Sequence, residues 1–116
     1  MSTESTITRH LNAIAQGVDA IMLDYTSDAV LITQDAVFRG PAEIRVFFER
    51  FMADAPPELF AAFAVTRLET NGEIAYLLWK AEPFIPFATD TFVVRNDRIV
   101  AQTFAMFAPA PAPASA

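Results

Sequence analysis

One acidic residue interrupts an otherwise oily alternation. Within the expected strand 86–95, Ala88, Asp90, Phe92 and Val94 fall on one side, while Phe87, Thr89, Thr91, Val93 and Arg95 fall on the other. Successive strand side chains point to opposite faces, so Asp90 is aimed at the core together with apolar neighbours. A buried carboxylate must be paired, hydrogen-bonded or protonated. With a raised pKa it suits proton transfer, or donation of a hydrogen bond to a ligand oxygen. The alternative is structural: the acid accepts bonds from a buried Trp, Tyr or backbone N–H and fastens the core.

His10 is the second candidate. It lies three residues after Ile7 and four before Ile14, on the apolar stripe of a helix. A carboxylate and an imidazole in one pocket can share a proton, although a lone His on such a stripe is commonly a satisfied core residue. Trp79 shares its strand face with Ala75, Leu77 and Ala81. Together with Tyr25, Phe48, Phe51, Phe63, Phe92 and Phe104 it is expected to line an apolar pocket, with core packing as the competing use. Phe60 fits the same two roles. Asp24, next to Tyr25 at the end of the second helix, is a reserve candidate for a pocket carboxylate, with a solvated helix-end charge as the favoured reading, and Asp35 reads as an exposed loop residue.

The elements that must position these groups are legible from periodicity. Residues 1–5 are polar and expected to be loose. Ile7, Leu11 and Ile14 mark a first helix, ended by Gly17. Asp19 is the expected cap of a short second helix, whose buried side is Val18, Ile21, Met22 and Tyr25. Ser27-Asp28 reads as a turn, 29–33 as a strand, and 34–39 as a loop or short hairpin. Gly40-Pro41 opens the clearest helix, with Ile44, Phe47, Phe48, Phe51 and Met52 on one face. Pro56-Pro57 ends it. Strands are expected at 59–70, 73–82, 86–95 and 98–107, joined by turns at Asn71-Gly72, 83–86 and Asn96-Asp97. Residues 1–107 form one domain, and 108–116 a Pro/Ala tail without a packing surface.

Helices followed by a long antiparallel meander predict an α+β fold with helices on one sheet face. Strong twist would curl the sheet around them and leave a cavity. Hydrophobic residues make up 53 % of the chain, including 11 Phe, enough for a real core. A net charge of −6 argues against nucleic acid and anionic membrane surfaces as partners. With no Cys there are no disulfides or thiolate chemistry, and a single His excludes a His-rich metal centre. No metal or cofactor is expected. The first residues lack the order of a signal peptide and apolar runs are short, so the expected location is cytoplasmic.

The stretch GVDAIMLDYTSDAVLITQDAVFRGPAEIRVFFERF resembles the N-terminal half of SnoaL-like domains, and ATDTFVVRNDRIVAQTFAMF is similar to their last hairpin. These domains belong to the nuclear transport factor 2-like superfamily, with ketosteroid isomerase and polyketide cyclases. The resemblance spans residues 7–107. It implies a cone-shaped barrel whose curved mixed or antiparallel sheet wraps N-terminal helices around an apolar pocket, usually as a homodimer through the outer sheet face. Ketosteroid isomerase uses a first-helix Tyr, a first-strand general-base Asp and a late-strand protonated Asp. By motif these fall on His10, Thr33 and Asp90. Thr33 cannot abstract a carbon-bound proton, so that isomerase mechanism does not transfer intact, and Thr33 is left as a lining residue. SnoaL-type cyclases place an acid/base Asp on a late strand, which matches Asp90.

Two readings stay open. One is a cofactor-independent isomerase, cyclase or hydratase acting on a small apolar carbonyl compound through Asp90, aided by His10. The other is a non-catalytic module with the same fold that binds a ligand or dimerises.

Overall fold

A computed structural model describes residues 2–109. Helix α1 (Thr3–Ala13) starts earlier than its apolar stripe, because Ser2 and Ser5 form a reciprocal capping box. Thr3 to Ser5, expected to be loose, are therefore part of the helix, while Met1 lies outside the described residues. A 3₁₀ turn (Ile14–Gln16) follows, and Gly17, at φ +107°, redirects the chain into α2 (Val18–Met22). Gly17 itself holds the cap position. Asp19 instead sits in the first turn, exposed, bridging Arg45 at 2.9 Å.

Strand β1 spans Tyr25–Thr33, so the expected turn at Ser27-Asp28 lies inside the strand. Its pairing with the last strand shifts between Tyr25 and Val30. Such an irregularity absorbs turn-forming residues without ending the strand. β2 (Val37–Arg39) closes a short hairpin against β1. α3 (Gly40–Asp54) places Pro41 in its first turn and buries Ile44 and Phe48. Pro56-Pro57 does more than end α3: Pro57 begins α4 (Pro57–Ala62), where a strand was expected. Proline at a first helical position loses no hydrogen bond, so the same dipeptide that stops one helix starts the next.

The remaining strands are β3 (Phe63–Asn71), β4 (Ile74–Ala81), β5 (Ile85–Arg95) and β6 (Arg98–Phe107). They form the expected antiparallel meander, and β6 then pairs with β1 in parallel. The result is one curved six-stranded sheet, ordered β2-β1-β6-β5-β4-β3, that is not closed: β2 and β3 are its edges.

The helices cover the inner face. Ile7, Ile21, Leu31, Ile44, Leu77 and Phe92 are sealed between the two layers. Each such side chain stabilises the fold by roughly 1.5–3 kcal/mol. Ala108 and Pro109 follow β6 without regular structure, and the rest of the expected tail lies outside the described residues. Among the described residues no helix is long and apolar enough to cross a membrane.

Candidate functional site

The alternation of β5 holds in three dimensions: Ala88, Asp90, Phe92 and Val94 are all buried, and Asp90 is 6 % exposed. On β4, Ala75, Leu77, Trp79 and Ala81 are likewise buried. The register puts Leu77 and Phe104 directly opposite Asp90, with Trp79 opposite Ala88 and Gln102 opposite Phe92. Trp79 and Gln102 are thus diagonal neighbours of Asp90, one on each flanking strand, and diagonal pairs lie within reach of long side chains. Trp79 Nε1 donates to Asp90 Oδ1 at 2.8 Å, and Gln102 Nε2 donates to Oδ2 at 2.8 Å. Burial pushes the Asp90 carboxyl up to about 6, against the pull of these two donors and of His10.

His10 reaches the same floor from α1. Its Nδ1 lies 3.0 Å from Asp24 Oδ2, and its Nε2 lies 3.4 Å from the Tyr25 hydroxyl. Tyr25 donates in turn to Gln102 Oε1. Arg9 Nε donates to the other Asp24 oxygen at 2.9 Å. Asp24 is only 2 % exposed, which corrects its reading as a solvated helix end. Burial alone would raise its pKa, but the bonds from His10 and Arg9 and their charges together hold it below the usual carboxylate value. Burial, reinforced by the charges of Asp90 and Asp24, lifts the Tyr25 phenol well above its ordinary range. The outcome is one continuous chain of polar groups from Arg9 through Asp24, His10, Tyr25, Gln102 and Asp90 to Trp79.

Four members of this chain, His10, Gln102, Asp90 and Trp79, line a cavity of about 410 Å³. Asp90, His10 and Gln102 supply its polar lining; Trp79, Phe48, Phe51, Phe63, Phe92 and Phe104 are among its apolar walls. Trp79 stacks on Phe104 with centroids 6.1 Å apart and planes 4° from parallel. The polar groups are buried, whereas Leu11, Ile14, Met52 and Phe60 are half-buried and Ala15 is exposed. The cavity therefore runs from a sealed acidic floor to a rim between α1, α3 and α4.

Two expected lining residues are elsewhere. Thr33 works in the β1–β2 turn, accepting from the backbone N–H groups of Asp35 and Ala36 at 3.2 and 3.1 Å. Tyr25 stands behind His10, outside the lining, and reaches the floor only through hydrogen bonds. Gln102 and Arg9 were not anticipated, and Asp24 was held only in reserve. Gln102 carried a usable signal: it shares a face of β6 with Phe104 and Met106, much as Asp90 shares one with Phe92. No group of three or more His, Asp and Glu side chains among the described residues is arranged to hold a metal ion.

The architecture is that of the nuclear transport factor 2-like fold, the one implied by the sequence resemblance. A nuclear transport factor 2-like protein of unknown function from Burkholderia xenovorans LB400 superposes with a TM-score of 0.73 at 21 % identity, over 97 % of this chain and 88 % of that one. A candidate SnoaL-like polyketide cyclase from Shewanella putrefaciens CN-32 gives 0.72 at 13 % identity, over 90 % and 88 %. A hypothetical protein from Catenulispora acidiphila DSM 44928, with a ketosteroid isomerase-like fold and crystallised with trimethylamine, gives 0.66 at 11 % identity, over 85 % and 82 %. No family model and no curated protein matches the chain.

Proposed function

We propose that this protein is a cofactor-independent acid–base catalyst for a small, largely apolar carbonyl compound, with Asp90 as the group that takes and returns a proton. The observation that carries this reading is the void itself. A buried carboxyl whose pKa lies near neutrality borders a cavity of about 410 Å³ walled by aromatic rings. That volume falls in the range used by small-ligand sites, and a pKa near the working pH suits a general base or acid. The folds around it, a candidate SnoaL-like cyclase and a ketosteroid isomerase-like protein among them, support the same class of chemistry.

In the proposed cycle the ionised Asp90 accepts a proton from a carbon next to the carbonyl and returns it elsewhere on the substrate. Trp79 and Gln102 hold the carboxylate in place by its two oxygens. His10, which also lines the cavity, is the positive partner of that carboxylate, its ring held through Nδ1 by Asp24 and through Nε2 by Tyr25. Isomerisation, aldol cyclisation and hydration all fit this proton inventory. Acetophenone is a suitable probe, being apolar, aromatic and enolisable. It should quench Trp79, the only tryptophan of the chain, saturably, and its methyl hydrogens should exchange with D₂O faster with the protein than without. Saturable binding with no exchange above buffer would instead favour a binding module. That second reading draws on the fact that both Asp90 oxygens already have partners.

We also propose that the outer sheet face receives a second copy of the chain. Phe87 and Phe107, opposite one another in β5 and β6, are 52 % and 60 % exposed. Ile74 and Tyr76 of β4 are also exposed, and the register sets Tyr76 beside Thr91. An apolar patch interleaved with Thr hydroxyls suits a self-complementary interface.

A further inference from the structure

We infer that Asp90 and His10 act as one titrating unit that holds a single exchangeable proton, with Tyr25 and Gln102 as the positioning residues that couple them. This rests on the reading of Asp90 as the cavity's proton donor and acceptor. Donors and acceptors along the buried chain can be matched in only two ways.

Both ends are fixed by chemistry. Trp79 Nε1–H can only donate, and it donates to Asp90. The Asp24 carboxylate, already accepting from Arg9 Nε, can only accept, so His10 Nδ1 must carry a hydrogen. Between these ends every group can face either way. With Gln102 Nε2 toward Asp90, the amide oxygen faces Tyr25, whose hydroxyl must donate to it. The Tyr25 oxygen can then only accept from His10, which requires a hydrogen on Nε2 as well. In this filling His10 is an imidazolium and Asp90 a carboxylate.

One other filling satisfies all the links. Asp90 carries a proton on Oδ2 and donates it to the Gln102 oxygen. The amide, turned by half a revolution, donates its N–H to the Tyr25 oxygen. The Tyr25 hydroxyl donates to His10 Nε2, which is now a neutral acceptor. The net change is one proton moved from imidazole to carboxyl, with no other atom gained or lost. Any mixed filling sets two donors or two acceptors against each other and forfeits a buried hydrogen bond, which is costly away from water. No buried side-chain polar atom among the described residues lacks a partner.

The charged surroundings favour one shared proton. His10 faces Asp24 from the α2–β1 junction, with Arg9 beyond it, and Asp90 from β5. The aromatic rings against the imidazole, Tyr25, Phe48 and Phe92, carry no charge at neutral pH. Burial already lifts the Asp90 carboxyl to about 6, which brings the protonated filling within reach near neutral pH. Substrate deprotonation by Asp90 is thereby tied to His10: as the carboxyl gains a proton, the imidazole is released to lose one.

The chain has a single His, so its imidazole signals can be followed by NMR without assignment ambiguity, alongside the carboxyl ¹³C of Asp90. In the ligand-free wild type both nuclei should report the same two apparent pKa values, as coupled sites do. In Tyr25→Phe each nucleus should report one step of its own. Asp90→Asn, nearly isosteric, provides a second arm should Tyr25→Phe fail to fold: His10 should then titrate in one step, its midpoint lowered as the nearby negative charge is lost. Independent single-step curves in the wild type, or a His10 curve unmoved by Asp90→Asn, would overturn the coupling. Neither result depends on acetophenone exchange, so coupling and catalysis can fail separately.

Discussion

Trp79 and Asp90 are diagonal neighbours across β4 and β5: the indole leans over from its place opposite Ala88 and donates to Asp90 Oδ1 at 2.8 Å. The bond favours the charged carboxylate and opposes the effect of burial. Trp79→Phe keeps an aromatic wall but removes that donor. The Asp90 pKa should therefore climb further above about 6, by roughly one unit, as read by carboxyl ¹³C NMR. An unchanged value would mean that the indole fills space only.

Asp90→Asn should leave the fold intact and change how stability depends on pH. The folded-state pKa of about 6 exceeds the ordinary 3.8, so between these values the folded protein binds the proton more tightly than the unfolded chain. Stability conferred by the protonated form is present below about pH 4 and is lost as pH rises toward 6, a penalty on the order of 2–3 kcal/mol at neutrality. The variant lacks that penalty. Urea unfolding should find it as stable as the wild type or more so at pH 7, with the difference narrowing near pH 5. A loss above about 3 kcal/mol would mark Asp90 as a structural acid.

Asp24 has the opposite sign. Its folded-state pKa is lowered, so its contribution is present above the ordinary carboxylate pKa and is lost as pH falls through the folded value. Asp24→Asn removes one partner of a buried ion pair and should cost roughly 3 kcal/mol near neutral pH. The difference from the wild type should shrink below about pH 4. A constant difference across that range would assign the loss to packing instead.

The fold was largely legible and the site only half so. Alternation on β4 and β5, the Asn71-Gly72 turn and the aromatic face of α3 were all read from local periodicity, and each is a local property of the chain. The start of α4 was not, because Pro56-Pro57 carries the same signature for stopping a helix as for starting one. Asp90 was found because one strand's pattern exposed it. Arg9 was missed, and Asp24 was kept only in reserve, because their roles depend on how Gly17 folds α2 back against α1, a tertiary fact that no single helix records. Tyr25 was placed one layer too close to the cavity: burial was foreseeable, but which face of His10 it would stand behind was not.

Phe87→Glu places a charge in the middle of the exposed outer face. Sedimentation velocity should find the wild type as a dimer and this variant as a monomer, with unchanged far-ultraviolet dichroism. A monomeric wild type would remove the second copy from the account.

The most direct test of the central claim is the pH dependence of acetophenone deuteration. The rate with the wild-type protein should rise with pH around a midpoint near 6, the value of the Asp90 carboxyl, and then level off as the base becomes fully ionised. In Asp90→Asn the protein-dependent rate should vanish while saturable quenching of Trp79 remains. Exchange that persists in Asp90→Asn with the same midpoint would contradict the account.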